Sequence, residues 1–151
     1  MAAACDLAIA GESAQFCTPG VDIGLFCSTP AVALSRNIAR KHALEMLFTG
    51  DMISAQDAYR MGLVNRVVET GEALNVAKAM ALRIAGKPRE TLAHGKRTFQ
   101  SQLGADTASA YAIAGRAMVE GMMAAESAEG IGAFLQKRAP DWRRTAPGET
   151  K

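Results

Sequence analysis

Aromatic side chains are scarce in this sequence, at 5% of its 151 residues. With 14 glycines, 8 methionines and many alanines, that scarcity favours closely packed helices over a β-sandwich. No apolar run approaches the roughly 20 residues that span a bilayer, so no membrane partner is expected. Neither sign of charge dominates: 17 basic and 15 acidic residues leave +2, which excludes the broad basic field of a general nucleic-acid binder. Histidine occurs twice, at His42 and His94. The three cysteines, Cys5, Cys17 and Cys27, are odd in number and form no CxxC pair. They read as neither a disulfide framework nor a zinc site, and no metal is expected. Small buried thiols in a reducing compartment are the plain reading, because no histidine lies near any of them to activate a nucleophile. Phosphate-cradling G-x-G-x-x-G and Walker patterns are missing, so a nucleotide cofactor held by such a loop has no support. The first residues, Met1 to Asp6, lack the basic and apolar regions of a signal peptide.

What is present is lopsided. At 49% apolar, the chain has material for one ordinary core. Leu7 to Ala10 reads as a short strand and Ala14 to Phe16 as a second. A Pro19-Gly20 turn follows, and a helix from about Pro30 to Ile38 is capped by the hydroxyl residue before the proline. A second helix, Arg40 to Phe48, carries an apolar stripe and stops at Gly50. Ser54-Ala55-Gln56-Asp57 has the capping-box pattern and opens a short helix ending at Gly62. Val64 to Val68 is extended. Helices then follow at about Glu72–Ala85, Pro88–Leu103, Asp106–Ala125 and Ser127–Arg138, with a polar tail over 145–151. Two short strands near the front cannot form a stable sheet alone, so either something upstream is missing or another chain supplies their partners.

The stretches "CDLAIAGESAQF", "TPGVDIGLFCSTP", "ALEMLFTGDMISAQDAYRMGLVNRVV" and "EGIGAFLQKRAPDW" carry a resemblance. Together they identify the chain as similar to the enoyl-CoA hydratase/isomerase (crotonase) superfamily, from Met1 to about Trp142. The resemblance implies an α/β fold: the C-terminal portion of a crotonase ββα spiral, mostly helical, with short N-terminal strands. It divides the chain into spiral core (1–70), a helical oligomerisation region (71–144) and the tail. It implies an acyl-CoA thioester as substrate, with coenzyme A entering as part of that substrate and no separate cofactor. A homotrimer or hexamer is the implied assembly, in the cytoplasm, or in mitochondria if a longer parent chain carries a transit peptide.

The same resemblance sets expectations for the site. The family's backbone oxyanion donors and first hydratase glutamate would align ahead of Met1. The second glutamate would follow the loop proline, where this chain has Gly20, which has no proton to give or take. Hydration of an enoyl thioester needs such groups to activate water, protonate the α-carbon and hold the enolate oxygen. The chain as given is therefore expected to be inactive as a hydratase. Two readings stand: part of an acyl-CoA enzyme, or a non-catalytic truncated subunit that keeps the oligomerising helices. Pro19, Gly20, Val21, Gly24 and Leu25 form the implied acyl-pocket loop. Asp22, two residues past Gly20, either reaches a ligand in that pocket or caps a turn or meets a basic residue. Phe134 and Lys137 match the family's AF-x-x-KR signature, an aromatic face and an ammonium for the adenine and phosphate end of CoA. Placed at i and i+3 on the last helix, they would share one side, in a basic neighbourhood of Arg138, Arg143 and Arg144 with Asp141 the only acid. The alternative is an ordinary solvated basic helix end. The stripe Ala110, Ala114, Met118 and Met122 reads as interface or core packing.

Overall fold

The computed structural model of the chain describes residues 1–142; Arg143, Arg144 and the polar tail lie outside them. It divides into two compact units, Met1–Ala81 and the remainder from Leu82.

The first unit holds four short strands, β1 (Ile9–Gly11), β2 (Gln15–Phe16), β3 (Ile53–Ser54) and β4 (Arg66–Val68). The two early strands do not pair with each other, and both find partners within this chain, which corrects the expectation that an upstream segment or another chain supplies them. β1 runs parallel to β4 with Ala10 opposite Val67, and β2 runs antiparallel to β3 with Phe16 opposite Ile53. Asn65 lengthens the parallel pair: its side-chain Oδ1 accepts from the Ala8 N–H at 2.8 Å while its backbone N–H donates to the Ala8 carbonyl at 2.7 Å. Three helices complete this layer: α1 (Ser28–Asn37), α2 (Arg40–Thr49) and α3 (Ala55–Met61). They surround one core made of Ala10, Leu34, Ile38, Ala43, Met46, Leu47, Ala55, Ala58, Leu63 and Val64.

Local chemistry explains the ends of these helices. Ser54 caps α3, its Oγ accepting from the Asp57 N–H at 3.1 Å, and α2 stops at Gly50 in the left-handed region at φ 71°. The start of α1 differs from the sequence expectation. The N-cap is Cys27, with no side-chain cap, and not Thr29. Pro30 thus occupies the third helical position, where its missing N–H is still one of the helix's unpaired first four, so no bond is lost.

α4 (Ala73–Ala85) carries the boundary between the units. The second unit contains α5 (Arg89–Gln102), α6 (Thr107–Met122) and α7 (Ala125–Leu135). Asp106 caps α6, accepting from the Ser109 N–H at 3.1 Å. α5 packs on α6, and the His94 ring lies 2.9 Å from the Ala117 carbonyl. The partly buried face of α6 is Ala110, Ile113, Ala117 and Gly121. That face is rotated from the expected stripe, and Met118 and Met122 are left exposed.

The last helix also ends earlier than expected. Its final residue is Leu135, Gln136 is the C-cap, and Lys137 sits beyond it with φ 53°. The N–H groups of Lys137 and Arg138 donate to the carbonyls of Phe134 and Ala133. These are the two bonds of a Schellman closure, made here with lysine where glycine is usual.

Candidate functional site

The loop between β2 and α1 is pinned at both ends to α2. At its entrance the buried Thr18 hydroxyl donates to the Met46 carbonyl at 2.8 Å. At its exit the Phe26 and Phe48 rings stand with centroids 6.2 Å apart, tilted 50°. Between them Pro19–Ile23 winds into a 3-10 turn. The Leu25 N–H donates to the Gly20 carbonyl at 2.9 Å, which folds the chain back on itself. The consequence falls on Gly20. A Cβ there would stand 2.3 Å from the Leu25 carbonyl oxygen and 2.7 Å from the Cys27 sulfur. Both distances are shorter than real contacts permit, and one of the two obstacles is backbone. In this conformation position 20 is closed to any side chain.

Next to the loop lies a cavity of about 720 Å³. Its walls come from Met1–Ala4, Gln15–Pro19, Cys27, Thr29 and Pro30, and from Ala33, Leu34, Met46 and Leu63. It is an apolar chamber of the size that takes small molecules. Of the five residues expected to form an acyl-pocket loop, Pro19 lines it; Gly20, Val21, Gly24 and Leu25 do not. Asp22 does not line it either. Its carboxylate oxygens lie 3.0 and 3.2 Å from where a Cβ of Gly50 would be, over the end of α2. Sequence reasoning missed Thr18 as the loop's anchor and Cys27 as a cavity wall. Neither has a signal in the chain, because each is defined by what folds against it. The thiols also correct the expectation of burial: Cys5 is exposed, and Cys17 and Cys27 are half-buried.

The other expected contacts lie in the second unit. Phe134 is 80% exposed, and Lys137 is exposed as well. Because Lys137 stands past the helix end in left-handed backbone, helical i, i+3 spacing does not place the two on one side. The basic neighbourhood is also smaller than expected. Glu129 binds the Arg138 guanidinium through both oxygens, at 2.6 and 3.1 Å, and accepts from the Asp141 N–H at 2.8 Å. Asp141 is therefore not the only acid there. The Glu129 hydrogen bond raises the Arg138 pKa above its ordinary value, holding that charge in place.

Glu126 is the one buried charge of this unit among the described residues. Its carboxylate accepts from the Glu90 N–H at 3.2 Å, the Thr91 N–H at 2.7 Å and the Thr91 hydroxyl at 2.6 Å. It thereby caps the first turn of α5, whose own N-cap is Pro88 with no side-chain cap. Burial pushes its pKa up, but the three hydrogen bonds outweigh burial and hold it below the usual glutamate value. Among the described residues no group of three or more His, Cys, Asp and Glu side chains is arranged to hold a metal ion. None of the described helices is long and apolar enough to cross a membrane.

Comparison with known proteins agrees with this arrangement of strands, loop and helices. The enoyl-CoA hydratase/isomerase family model matches residues 1–145, and the chain belongs to that family. It is 50% identical over 142 residues to the rat protein named enoyl-CoA hydratase domain-containing protein 3, mitochondrial. That match covers 94% of this chain and 47% of the relative, so the chain spans about half the length of the curated relatives it matches. An enoyl-CoA hydratase crystal structure from Mycobacterium smegmatis is 50% identical with a TM-score of 0.91, over 94% of this chain and 55% of that one. The crystal structure of human enoyl-CoA hydratase domain-containing protein 3 is 48% identical with a TM-score of 0.89, over 93% and 56%. The α/β crotonase fold expected from the sequence is thereby shown.

Proposed function

We infer that this chain forms the acyl-pocket wall and the CoA-contacting helical end of a protein that binds acyl-CoA thioesters without hydrating them. One observation carries the reading: position 20, where the resemblance puts a catalytic glutamate, holds glycine and has no room for a side chain. Among the described residues no carboxylate lines the neighbouring cavity, and Asp22 is turned over Gly50. Acid/base chemistry on a bound enoyl chain has no side-chain carboxylate to run it there. Phe134 and Lys137 contribute an exposed ring and an ammonium to the adenosine-phosphate end of CoA. The word mitochondrial in the printed name of the rat relative supports a mitochondrial location over a cytoplasmic one.

A second reading, a non-catalytic oligomerisation module, is favoured by the apolar side chains that α6 and α7 expose. Met118, Val119, Met122, Ile131 and Leu135 are all in the open. A homotrimer or hexamer is the proposed assembly.

Titration of free CoA in calorimetry tests the first reading. Exposed charge contacts contribute about 1 kcal/mol or less and stacking a similar amount. Binding is therefore expected at roughly high-micromolar to millimolar Kd, weakening with salt. Lys137→Gly removes the charge while keeping the backbone relaxed, and should weaken binding more than Lys41→Ala; Lys137→Ala should behave like Lys137→Gly. No interaction at low salt, or equal behaviour of the Lys137 and Lys41 variants, contradicts the CoA contact.

A further inference from the structure

We propose that the groove between α5 and α6 is a phosphate-binding site, in which Arg97 and Arg116 grip the anion from opposite walls. The groove encloses about 300 Å³ and lies wholly within the second unit. Its α5 wall carries His94, Arg97 and Ser101, and its α6 wall Ile113, Arg116 and Glu120, each set spaced to share one helix face. Residues 103–106 are all that join the two helices, so they run antiparallel.

The His94 ring sets their register. Its Nε2 lies 2.9 Å from the Ala117 carbonyl and 4.0 Å from the Glu120 carboxylate. One turn from His94 toward the connecting loop stands Arg97, and one turn from Glu120 toward the same loop stands Arg116. The two guanidiniums therefore belong to one level of the hairpin.

Neither guanidinium has a hydrogen-bond or ion-pair partner among the described residues, whereas Arg60 is paired with Asp57 and Arg138 with Glu129. Glu120 is the only acid among the described residues lining the groove, so with His94 neutral the walls keep a surplus of one positive charge. The hydroxyls there are committed: Thr98 donates to the His94 carbonyl at 3.0 Å and Ser101 to the Thr98 carbonyl at 2.9 Å. What the groove offers a ligand is thus two open guanidinium forks that repel each other until an anion stands between them.

The chemistry of the forks selects the anion. One fork satisfies a carboxylate edge and leaves the second arginine unmet. A phosphate monoester brings three acceptor oxygens and a charge of about −1.5 to −2 at neutral pH, enough for a fork from each wall. The volume is at the small end for ligand pockets and suits a phosphate group, free or on a small organic molecule. The assignment uses the second unit alone and does not rest on the acyl-CoA reading.

Titration of the ¹⁵N-labelled whole chain with inorganic phosphate, glycerol 3-phosphate and acetate at constant ionic strength tests it, read on the arginine Nε–H signals. Saturable shifts of Arg97 and Arg116 are expected with both phosphates, at roughly millimolar Kd, and not with acetate. Arg97→Ala and Arg116→Ala should each weaken binding by roughly threefold or more, and the double variant should abolish it, while Lys41→Ala and Lys137→Ala leave it unchanged. Tighter binding of glycerol 3-phosphate assigns the groove to an organic phosphate, and tighter binding of the inorganic ion assigns it to free phosphate; either upholds the site. Equal shifts with acetate, or phosphate binding that survives the double variant, overturns it. So does a loss of oligomer size in both arginine variants with no response to phosphate, which would give the groove to an acidic side chain of a second copy.

Discussion

Gly20 is required by its neighbours. The turn from Pro19 brings the Leu25 carbonyl back to within 2.3 Å of the missing Cβ, and the loop cannot yield easily because Thr18 and Phe26 tie it to α2. Gly50 is constrained in another way, by a φ of 71° and by the Asp22 carboxylate lying over it. Gly20→Ala should therefore destabilise the protein by about 1–3 kcal/mol, the usual cost of forcing atoms into a packed site. Denaturant unfolding measures it, and an unchanged midpoint would mean that the loop is open at position 20. The sequence alone shows that residue 20 has no carboxylate, and the Pro-Gly pair marks the turn. It does not show that the position is closed, because closure depends on a carbonyl five residues on and on a sulfur seven residues on.

Among the elements, those with a capping side chain or a stop glycine were legible. Ser54 opens α3, Asp106 opens α6 and Gly50 ends α2, each through a local bond between neighbours in sequence. Where the cap comes from far away, the sequence misleads. α7 begins at Ala125 after an uncapped Ala124, and α5 is capped by Glu126, 35 residues beyond Thr91. The end of α7 at Leu135 was hidden because lysine, not glycine, makes the left-handed closing residue. Glu126→Gln should cost about 1–3 kcal/mol at neutral pH, since buried N–H donors lose a charged acceptor. The pH dependence has a definite sign. The folded-state pKa is lowered, so the carboxylate's contribution is complete above the ordinary glutamate value. It is lost as pH falls through the folded value, and the wild-type advantage should shrink below about pH 4.3. A gap between the two proteins that stays constant from neutral pH down to acid unfolding would remove Glu126 from the capping role.

For the whole molecule, apolar exposure is the dominant feature. Leu82, Tyr111, Met123 and Leu135 are each more than 70% exposed, and in the second unit the described residues bury only Ala133 and Glu126. Apolar exposure on this scale is normally covered by a partner. Sedimentation at micromolar concentration should accordingly show a homo-oligomer, a trimer or a multiple of one, whereas a well-folded monomer would refute that assembly. Of the stripe read from the sequence as interface or core packing, Met118 and Met122 are exposed, because the packed face of α6 runs through Ile113 and Ala117. This family member keeps the loop but has position 20 closed to a carboxylate, which underlies the proposal that it binds acyl-CoA without hydrating it. The most direct test of that proposal is the rate of crotonyl-CoA hydration by the purified chain, beside Asp22→Asn. A rate indistinguishable from buffer is expected for both proteins; turnover that survives repurification and disappears in Asp22→Asn would contradict that proposal and make Asp22 the acid/base group.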